Sequence, residues 1–467
     1  MRDVWIIAVK DATEMRRDGR FRWTAGLTLV ILAASFAGGW HYTTTVARQH
    51  ADAQRIEREL WLDKGDMNPH AAAHYGSFVF KPVEPLSALD PGLDPYVGVS
   101  MFLEAHQQQL ARHKPVEDAT PTRRLGSLSA AMSLQILVPL LIIFLTFASL
   151  AGEREQGSLR HLMSLGIGRS TLAAGKALGA MLPLGLVLLP AALVGGGVML
   201  ASGGMDADAL VRAGLLAATY IAYFTLWTGV GLAVSARART QGGALIVLLA
   251  LWFATSFVAP PLAAAVASQR DPAPTTIEFL AAIDDERQQR PSWDDRVADV
   301  IDRFLSGADS ATGWAANPEV TALIETEALD TELFERHFGR LYDIYERQTA
   351  TYARLSVFSP LLAVQTLSMA LAATDYTHHR QFLQAAGDYR REFVQVLNAE
   401  LAGYAKWDTF AFAGARELWA KIPEFEFDTP NAFWALGAHL WSVVTLAGWL
   451  LVVGAGVVWA MRGMPVD

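Results

Sequence analysis

The sequence contains no cysteine among its 467 residues. This absence excludes structural disulfides, thiolate zinc sites and a cysteine nucleophile, and it leaves the cellular compartment open. Charged residues are also few, at 18% of the chain, whereas soluble proteins usually carry about 25%. The formal net charge of -9 argues against a nucleic-acid partner, because such a partner requires a basic surface that neutralises phosphates.

Long apolar runs, in contrast, are abundant. A helix needs roughly 20 apolar residues to cross the hydrocarbon core of a bilayer. The run from Leu178 to Gly204 has no charged residue and still contains Pro183 and Pro190, which membrane helices tolerate. A soluble helical protein would need charged faces that these runs lack. We therefore predict an all-α membrane protein with six transmembrane helices, at residues 24–42, 128–151, 177–201, 209–234, 242–268 and 432–461.

The short loops predict the orientation, because cytoplasmic loops carry an excess of Lys and Arg. The loop at 202–208 has two acidic residues and no basic one. A cleaved signal peptide ending near Ala37 is disfavoured, since the apolar run continues to Trp40. We expect both termini in the cytoplasm, on the side that holds Arg2, Lys10, Arg16, Arg17, Arg20, Arg22, Arg154, Arg160, Arg169, Lys176, Arg237, Arg239 and Arg462.

Two segments are expected outside the cytoplasm. The first insertion, residues 43–125, is rich in turn signals, and the sequence does not predict its fold. The second insertion, residues 269–430, has 27 acidic and 15 basic residues, and apolar residues at three- and four-residue steps predict that it is mainly helical. Within it, the apolar stretch 360–373 is short for a span and suits a buried core helix or an interfacial segment.

The loop at 152–176 carries a motif. It reads Glu-Arg-Glu-Gln-Gly-Ser-Leu-Arg-His-Leu-Met-Ser from Glu153 to Ser164, followed by Gly168-Arg169 and Gly175-Lys176. This segment resembles the cytoplasmic loop of bacterial type-2 ABC transporter permeases, and the layout of six spans after an N-terminal amphipathic elbow helix at 1–23 is also similar. Three later motifs resemble a branch of that family with a large uncharacterised extracytoplasmic domain before the last span: Ser359-Pro360, Ala373-Thr374-Asp375-Tyr376-Thr377-His378-His379-Arg380 and Asp388-Tyr389-Arg390-Arg391.

The resemblance implies a permease subunit energised by a separate cytosolic ABC ATPase, which binds ATP and Mg²⁺. It also implies a second permease copy or a related permease, and a place in the bacterial inner membrane. Gly157 and Ser158 can end one helix and begin another, and a short amphipathic helix after them can dock in a groove of the ATPase. The alternative is an interfacial loop whose charges only set topology. The predicted ATPase-coupling residues are Glu153, Arg154, Glu155, Gln156, Gly157, Ser158, Leu159, Leu162 and Met163.

The sequence also lacks a phosphate-binding loop and acidic or lysine residues inside the predicted spans, and each absence argues against a class of function. A phosphate-binding loop has four residues between its two glycines and a Ser or Thr after its lysine, but six residues separate Gly168 from Gly175, and Ala177 follows Lys176. We therefore expect no cofactor and no ATP hydrolysis in this chain. The predicted spans have no Asp, Glu or Lys inside, and only Arg212 lies near an end. Ion-driven transporters usually place such residues at mid-membrane, so this class is disfavoured.

The histidines give no clear metal site in the sequence. His70 and His74 are spaced to share a helix face, but no third ligand lies near them in the chain, so we expect surface histidines. His378 and His379 are adjacent and should point apart on a helix. His41 and His439 lie near span ends and are expected to be interfacial or packing residues.

Three functions remain open at this point. The first is an exporter of an amphipathic or lipid-linked substrate, which suits the largely apolar spans. The second is a mechanotransmitter, in which ATP hydrolysis on the partner moves the second insertion without substrate passing through the membrane part. The third is a non-transporting scaffold in a cell-surface assembly. An extracytoplasmic partner is compatible with all three.

Overall fold

A computed structural model describes residues 2–117, 128–201, 204–306, 318–404 and 413–465. Parts of both predicted insertions (118–125, 307–317 and 405–412) and of the predicted loop at 202–208 lie outside these residues. The helices in chain order are α1 (Arg2–Arg17), α2 (Gly19–Leu62), α3 (Pro69–Tyr75), α4 (Asp94–Val97), α5 (Ala130–Thr146), α6 (Ala151–Glu155), α7 (Ser158–Ser164), α8 (Arg169–Ala201), α9 (Ala207–Arg237), α10 (Gln241–Phe253), α11 (Ala259–Arg270), α12 (Thr276–Gln288), α13 (Trp293–Leu305), α14 (Pro318–Arg354), α15 (Pro360–Leu371), α16 (Tyr376–Tyr404), α17 (Arg416–Trp419), α18 (Ala432–Ala438) and α19 (Leu440–Arg462).

Six helical segments in the described part are long and apolar enough to cross a membrane. This confirms the predicted all-α membrane protein with six spanning helices. In the fifth, a π-helical turn at Ala254–Val258 joins α10 to α11 directly before Pro260 and Pro261, which lack the N–H groups that a continuous α-helix requires. The spanning segments are Phe21–Leu62, Ala130–Glu155, Arg169–Ala201, Ala207–Arg237, Gln241–Arg270 and Leu440–Arg462.

The helix α2 runs well past the predicted end of the first span at residue 42. It has 44 residues, which corresponds to a length of about 66 Å. The part of α2 after residue 42 is polar but rich in good helix formers. The helix therefore continues after the apolar run has ended. At its far end, Trp61 Nε1 donates to the carbonyl of Trp419 at 3.0 Å, and Arg58 donates to the carbonyl of Ile422 at 2.9 Å.

The two β-strands of the described residues lie in the first insertion. Strands β1 (Ser77–Phe80) and β2 (Ser100–Leu103) pair antiparallel, with Ser77 opposite Leu103. Their buried side chains Val79 and Met101 belong to the same apolar core as residues of α14 and α16, including Phe338 and Phe382. The two insertions therefore fold together around one core rather than as separate domains.

The helix α15 lies among the spanning helices. Leu361, Val364 and Leu367 are buried in one apolar core with Val138 of α5 and Tyr220 of α9. With 12 residues, α15 is too short to cross a membrane, as the sequence indicated for this stretch. It is a buried helix that connects the second insertion to the membrane-spanning core.

Candidate functional site

The predicted coupling loop forms a sharp helix–turn–helix between the second and third spans. The helix α6 ends at Glu155, and α7 begins at Ser158. Gly157 makes the turn with φ of 74°, in the left-handed region, and a Cβ there would meet nothing within 4 Å. Glycine is therefore required for backbone conformation rather than for space. The Ser158 hydroxyl donates to the carbonyl of Glu153 at 3.2 Å, so it closes the end of α6.

The apolar side of α7 packs against the chain itself. Leu159 is completely buried and shares a core with Leu150, Leu172 and Met461. Leu162 and Met163 are partly buried beside this core. These three predicted coupling residues thus fix α7 to the ends of spanning helices, and other residues of the loop present the exposed surface.

That exposed surface, here called the coupling face, surrounds the turn and the outer side of α7. Leu165 is 77% exposed, so its side chain is accessible to a partner. Glu155 is also exposed, and its carboxylate accepts a hydrogen bond from the Gln241 backbone N–H at 3.1 Å, at the start of α10. The coupling face consists of Glu155, Gln156, Gly157, Arg160, His161, Ser164 and Leu165.

Behind the coupling face, a buried cation joins three elements. Lys176 Nζ of α8 lies 2.9 Å from Asp11 Oδ2 of α1 and 2.5 Å from Glu153 Oε1 of α6. Lys176 is 3% exposed and Asp11 is 4% exposed, and burial raises the pKa of Asp11 against the attraction of Lys176. Lys10, which is half-exposed, lies 3.6 Å from Glu153. The ion cluster ties the elbow helix to the loop.

Small residues allow this close approach of α1 to α8. A Cβ on Gly175 would lie 2.7 Å from the Ile7 side chain, and one on Gly179 would lie 2.8 Å from Asp11 Cβ. The Gly-Lys step of the motif is thereby explained: the glycine admits the elbow helix, and Lys176 next to it neutralises Asp11. Because Lys176 is paired with two carboxylates, it is not a phosphate-binding lysine.

Arg154, a predicted coupling residue, is buried and points into the chain. Its guanidinium donates to the carbonyl of Pro465 at 2.9 Å, to that of Ala236 at 2.7 Å and also to that of Ala238. Arg169 donates to the carbonyl of Met461 at 3.1 Å. Arg154 thus holds the chain after α19 and the end of α9 against α6, and Arg169 holds the end of α19 against α8. Such carbonyls have no partner within a helix and need one from elsewhere.

The structure therefore groups the predicted residues into anchors (Glu153, Arg154, Leu159) and exposed positions (Glu155, Gln156, Gly157). Sequence reasoning missed Asp11, although an acidic residue on the apolar side of an amphipathic helix was a signal for a buried partner. It also missed the backbone carbonyls at 461–465, for which side-chain patterns carry no signal.

Six spanning helices, an elbow helix and this anchored helix–turn–helix define a multi-pass membrane protein. A family model described as "ABC-2 family transporter protein" matches residues 5–458. The match covers nearly the whole chain, so the chain belongs to the ABC-2 family and is a permease subunit of an ABC transporter. The family implies a separate ATPase partner. No curated protein matches the chain.

Proposed function

We propose that this permease is the membrane half of an ATP-driven exporter in the bacterial inner membrane, with both termini in the cytoplasm. Two copies, or one copy and a related permease, form the complex, and a cytosolic ATPase that holds ATP and Mg²⁺ binds each coupling face. The two insertions then lie on the extracytoplasmic side. An amphipathic or lipid-linked molecule is the substrate class that the structure supports best.

The anchoring of the coupling face is the observation that carries this proposal. Leu159 and Arg154 attach α6 and α7 to the ends of α8, α9 and α19, and Lys176 attaches them to α1. A displacement imposed at the turn by a closing ATPase therefore moves four helix ends together. Packed elements of this kind transmit motion as rigid bodies.

The absence of cysteine makes a direct test possible. Leu165→Cys places one thiol on the coupling face, and Ile277→Cys places one on the second insertion as a matched control, since the two positions are 77% and 81% exposed. We expect a thiol-directed photo-crosslinker to link the ATPase to the Leu165→Cys chain and not to the Ile277→Cys chain. In intact cells a membrane-impermeant maleimide should label only the Ile277→Cys chain. Cross-linking at neither position, or labelling of the Leu165→Cys chain, would contradict the proposal.

A cleft supports the substrate class. It has a volume of about 710 Å³ and is lined mainly by apolar and small residues, which is the size of a small-molecule site. Its walls continue from the predicted membrane part of α2 into the polar half, where Gln49 and His50 face it. A site with an apolar part at membrane level and a polar end beyond it suits an amphipathic molecule. Other lining residues are Gly38, Tyr42, Phe80, Tyr96 and Leu128.

A large side chain that fills the cleft should prevent an amphipathic molecule from binding there. A side chain at Gly38 would enter the cleft, and a Cβ there meets nothing within 4 Å. We expect Gly38→Trp to reduce the lipid that co-purifies with the permease, measured by native mass spectrometry. Gly26→Trp is the control, because Gly26 lies on the same helix, has equally open space and does not line the cleft. Equal lipid retention by both variants would contradict a substrate site here.

The mechanotransmitter function has one observation in its favour. Arg212 of α9 donates to the carbonyls of Ala370 and Leu371 at 3.2 and 3.3 Å, at the carboxyl end of α15. Ser368 of α15 donates to Asp90 of the first insertion at 2.5 Å. A movement of α9 is thus passed to both insertions through direct contacts. An unchanged cellular activity of the Gly38→Trp variant, together with ATPase cross-linking at Leu165→Cys, would favour this function over export.

A further inference from the structure

Three histidines of the first insertion come together, contrary to the expectation of surface histidines without a third ligand. His70 and His74 lie on one face of α3, and their Nε2 atoms are 3.0 Å apart. His106, which follows β2, places its Nε2 atom 3.4 Å from that of His70. The sequence concealed this group because His106 lies 36 positions after His70, and only the fold brings the two together.

The spacing of these nitrogens fits a shared metal ion. Two nitrogens bound to one zinc ion at about 2.0–2.1 Å with tetrahedral geometry lie about 3.3 Å apart. The Nε2 separations of 3.0 and 3.4 Å bracket that value, and one ligand atom of each histidine lies within 4.8 Å of those of the other two. His70 is buried, His74 is exposed and His106 is half-buried, so the group is accessible from solvent at His74.

A buried carboxylate lies beside the Nδ1 atom of His70. His70 Nδ1 lies 3.4 Å from Glu327 Oε1, and the other Glu327 oxygen accepts a hydrogen bond from Asn398. Both the histidine and the carboxylate are more than nine-tenths buried. A proton on Nδ1 that faces the carboxylate leaves the Nε2 lone pair toward the other histidines, as in the carboxylate–histidine–metal arrangement of metalloproteins.

Hydrogen bonding alone does not account for the group. With its Nδ1 protonated, His70 Nε2 has a single lone pair and can accept one hydrogen bond. Two imidazole nitrogens, from His74 and His106, nevertheless approach this atom. A cation at the common point of the three nitrogens satisfies all of them together.

The charges around the group are compatible with a cation. The positive charges of Arg287 and Arg390 repel a positive charge at His106. Three nearby carboxylates attract the guanidinium of Arg390 and offset its positive charge. They belong to Glu104, Glu327 and Asp330.

We propose that His70, His74 and His106 form a binding site for a late first-row divalent metal ion such as Zn²⁺, with Glu327 as the outer partner of His70. Imidazole ligands suit Zn²⁺, Cu²⁺ and Ni²⁺ rather than Mg²⁺ or Ca²⁺. The ligands come from the first insertion, whereas Glu327 and Asn398 belong to α14 and α16 of the second. The metal ion therefore connects the two insertions.

The test is Zn²⁺ binding to the full-length permease, purified in detergent with a tag that contains no histidine and stripped of metal. We expect one Zn²⁺ per chain in the intact protein. Glu327→Gln should weaken binding by about 10–100-fold, as loss of an outer partner does, and His74→Ala and His106→Ala should weaken it further. His41→Ala is the control, since His41 is exposed on α2 away from the site.

Two readouts separate loss of the site from loss of the fold. The elution volume in size-exclusion chromatography should stay unchanged for His74→Ala, because His74 is exposed. Co²⁺ in place of Zn²⁺ should give the visible absorption of a tetrahedral site in the intact protein and none in His74→Ala. If the intact protein takes up no stoichiometric Zn²⁺, or if His74→Ala binds it as tightly, the group is a hydrogen-bonded histidine cluster only and the proposal is overturned.

Discussion

Replacing Lys176 by Met is expected to separate the elbow helix from the coupling loop and to abolish stable association with the ATPase. The substitution removes the buried cation between the carboxylates of Asp11 and Glu153 and leaves only the half-exposed Lys10 near them. Removing one partner of a buried ion pair typically costs about 3–5 kcal/mol. We expect a lower thermal unfolding midpoint in detergent and little ATPase in a pull-down.

Lys10→Met is the matched control for this prediction. Lys10 contacts the same carboxylate of Glu153, at 3.6 Å, but its side chain is 51% exposed. Exposed ion pairs contribute roughly 0–1 kcal/mol, so this variant should keep its midpoint and its ATPase. Adding Asp11→Asn and Glu153→Gln to Lys176→Met removes the unpaired charges and should restore much of the stability. If Lys176→Met unfolds at the temperature of the Lys10→Met variant, the ion cluster has no structural role.

Replacing Arg212 by Met should detach α15 from the spanning helices. Arg212 is 3% exposed and donates to the carboxylate of Asp208 at 2.6 Å, to the last carbonyls of α15 and to the carbonyl of Pro430. Its loss leaves Asp208 without its cation and several carbonyls without donors, at a cost of about 1–3 kcal/mol for each buried group that is left unpaired. We expect a lower unfolding midpoint and faster proteolysis of the second insertion.

Arg237→Met, at the other end of the same helix, serves as the control. Arg237 is exposed, contacts the carbonyl of Gly463 and lies 4.8 Å from the ring centre of Trp459. The free energy of unfolding of this variant should lie within about 1 kcal/mol of that of the intact protein, since exposed charges contribute little. Equal proteolysis of the second insertion in both variants would show that Arg212 does not hold α15.

The spanning helices could be predicted because hydrocarbon imposes one simple requirement on length and polarity. The run at 178–204 needed no other information. The short helix α15 was also predicted to differ from a span, since the same length criterion applies. Polarity does not report where a helix ends in water, however, and for this reason the predicted first span stopped at residue 42 while α2 continues to Leu62.

The site was predictable only where neighbours in sequence are neighbours in space. Gly157 and the turn after Glu155 follow from local backbone chemistry. The division of the loop into anchors and an exposed face depends on residues far along the chain. Asp11 shares the cation Lys176 with Glu153, and the carbonyl of Pro465 accepts from Arg154. The inward orientation of Leu159 likewise follows from packing against Met461 and Leu172.

The length of α2 gives the molecule a lever arm. One end follows the elbow helix directly, after the break at Asp18, and the other is fastened to the second insertion through Arg58 and Trp61. In a continuous helix of about 66 Å, a tilt of about 5° at one end displaces the other by about 6 Å. A small rotation at the amino-terminal end of α2 is thereby magnified, without any intervening joint, into a displacement larger than the width of a water molecule at the opposite end.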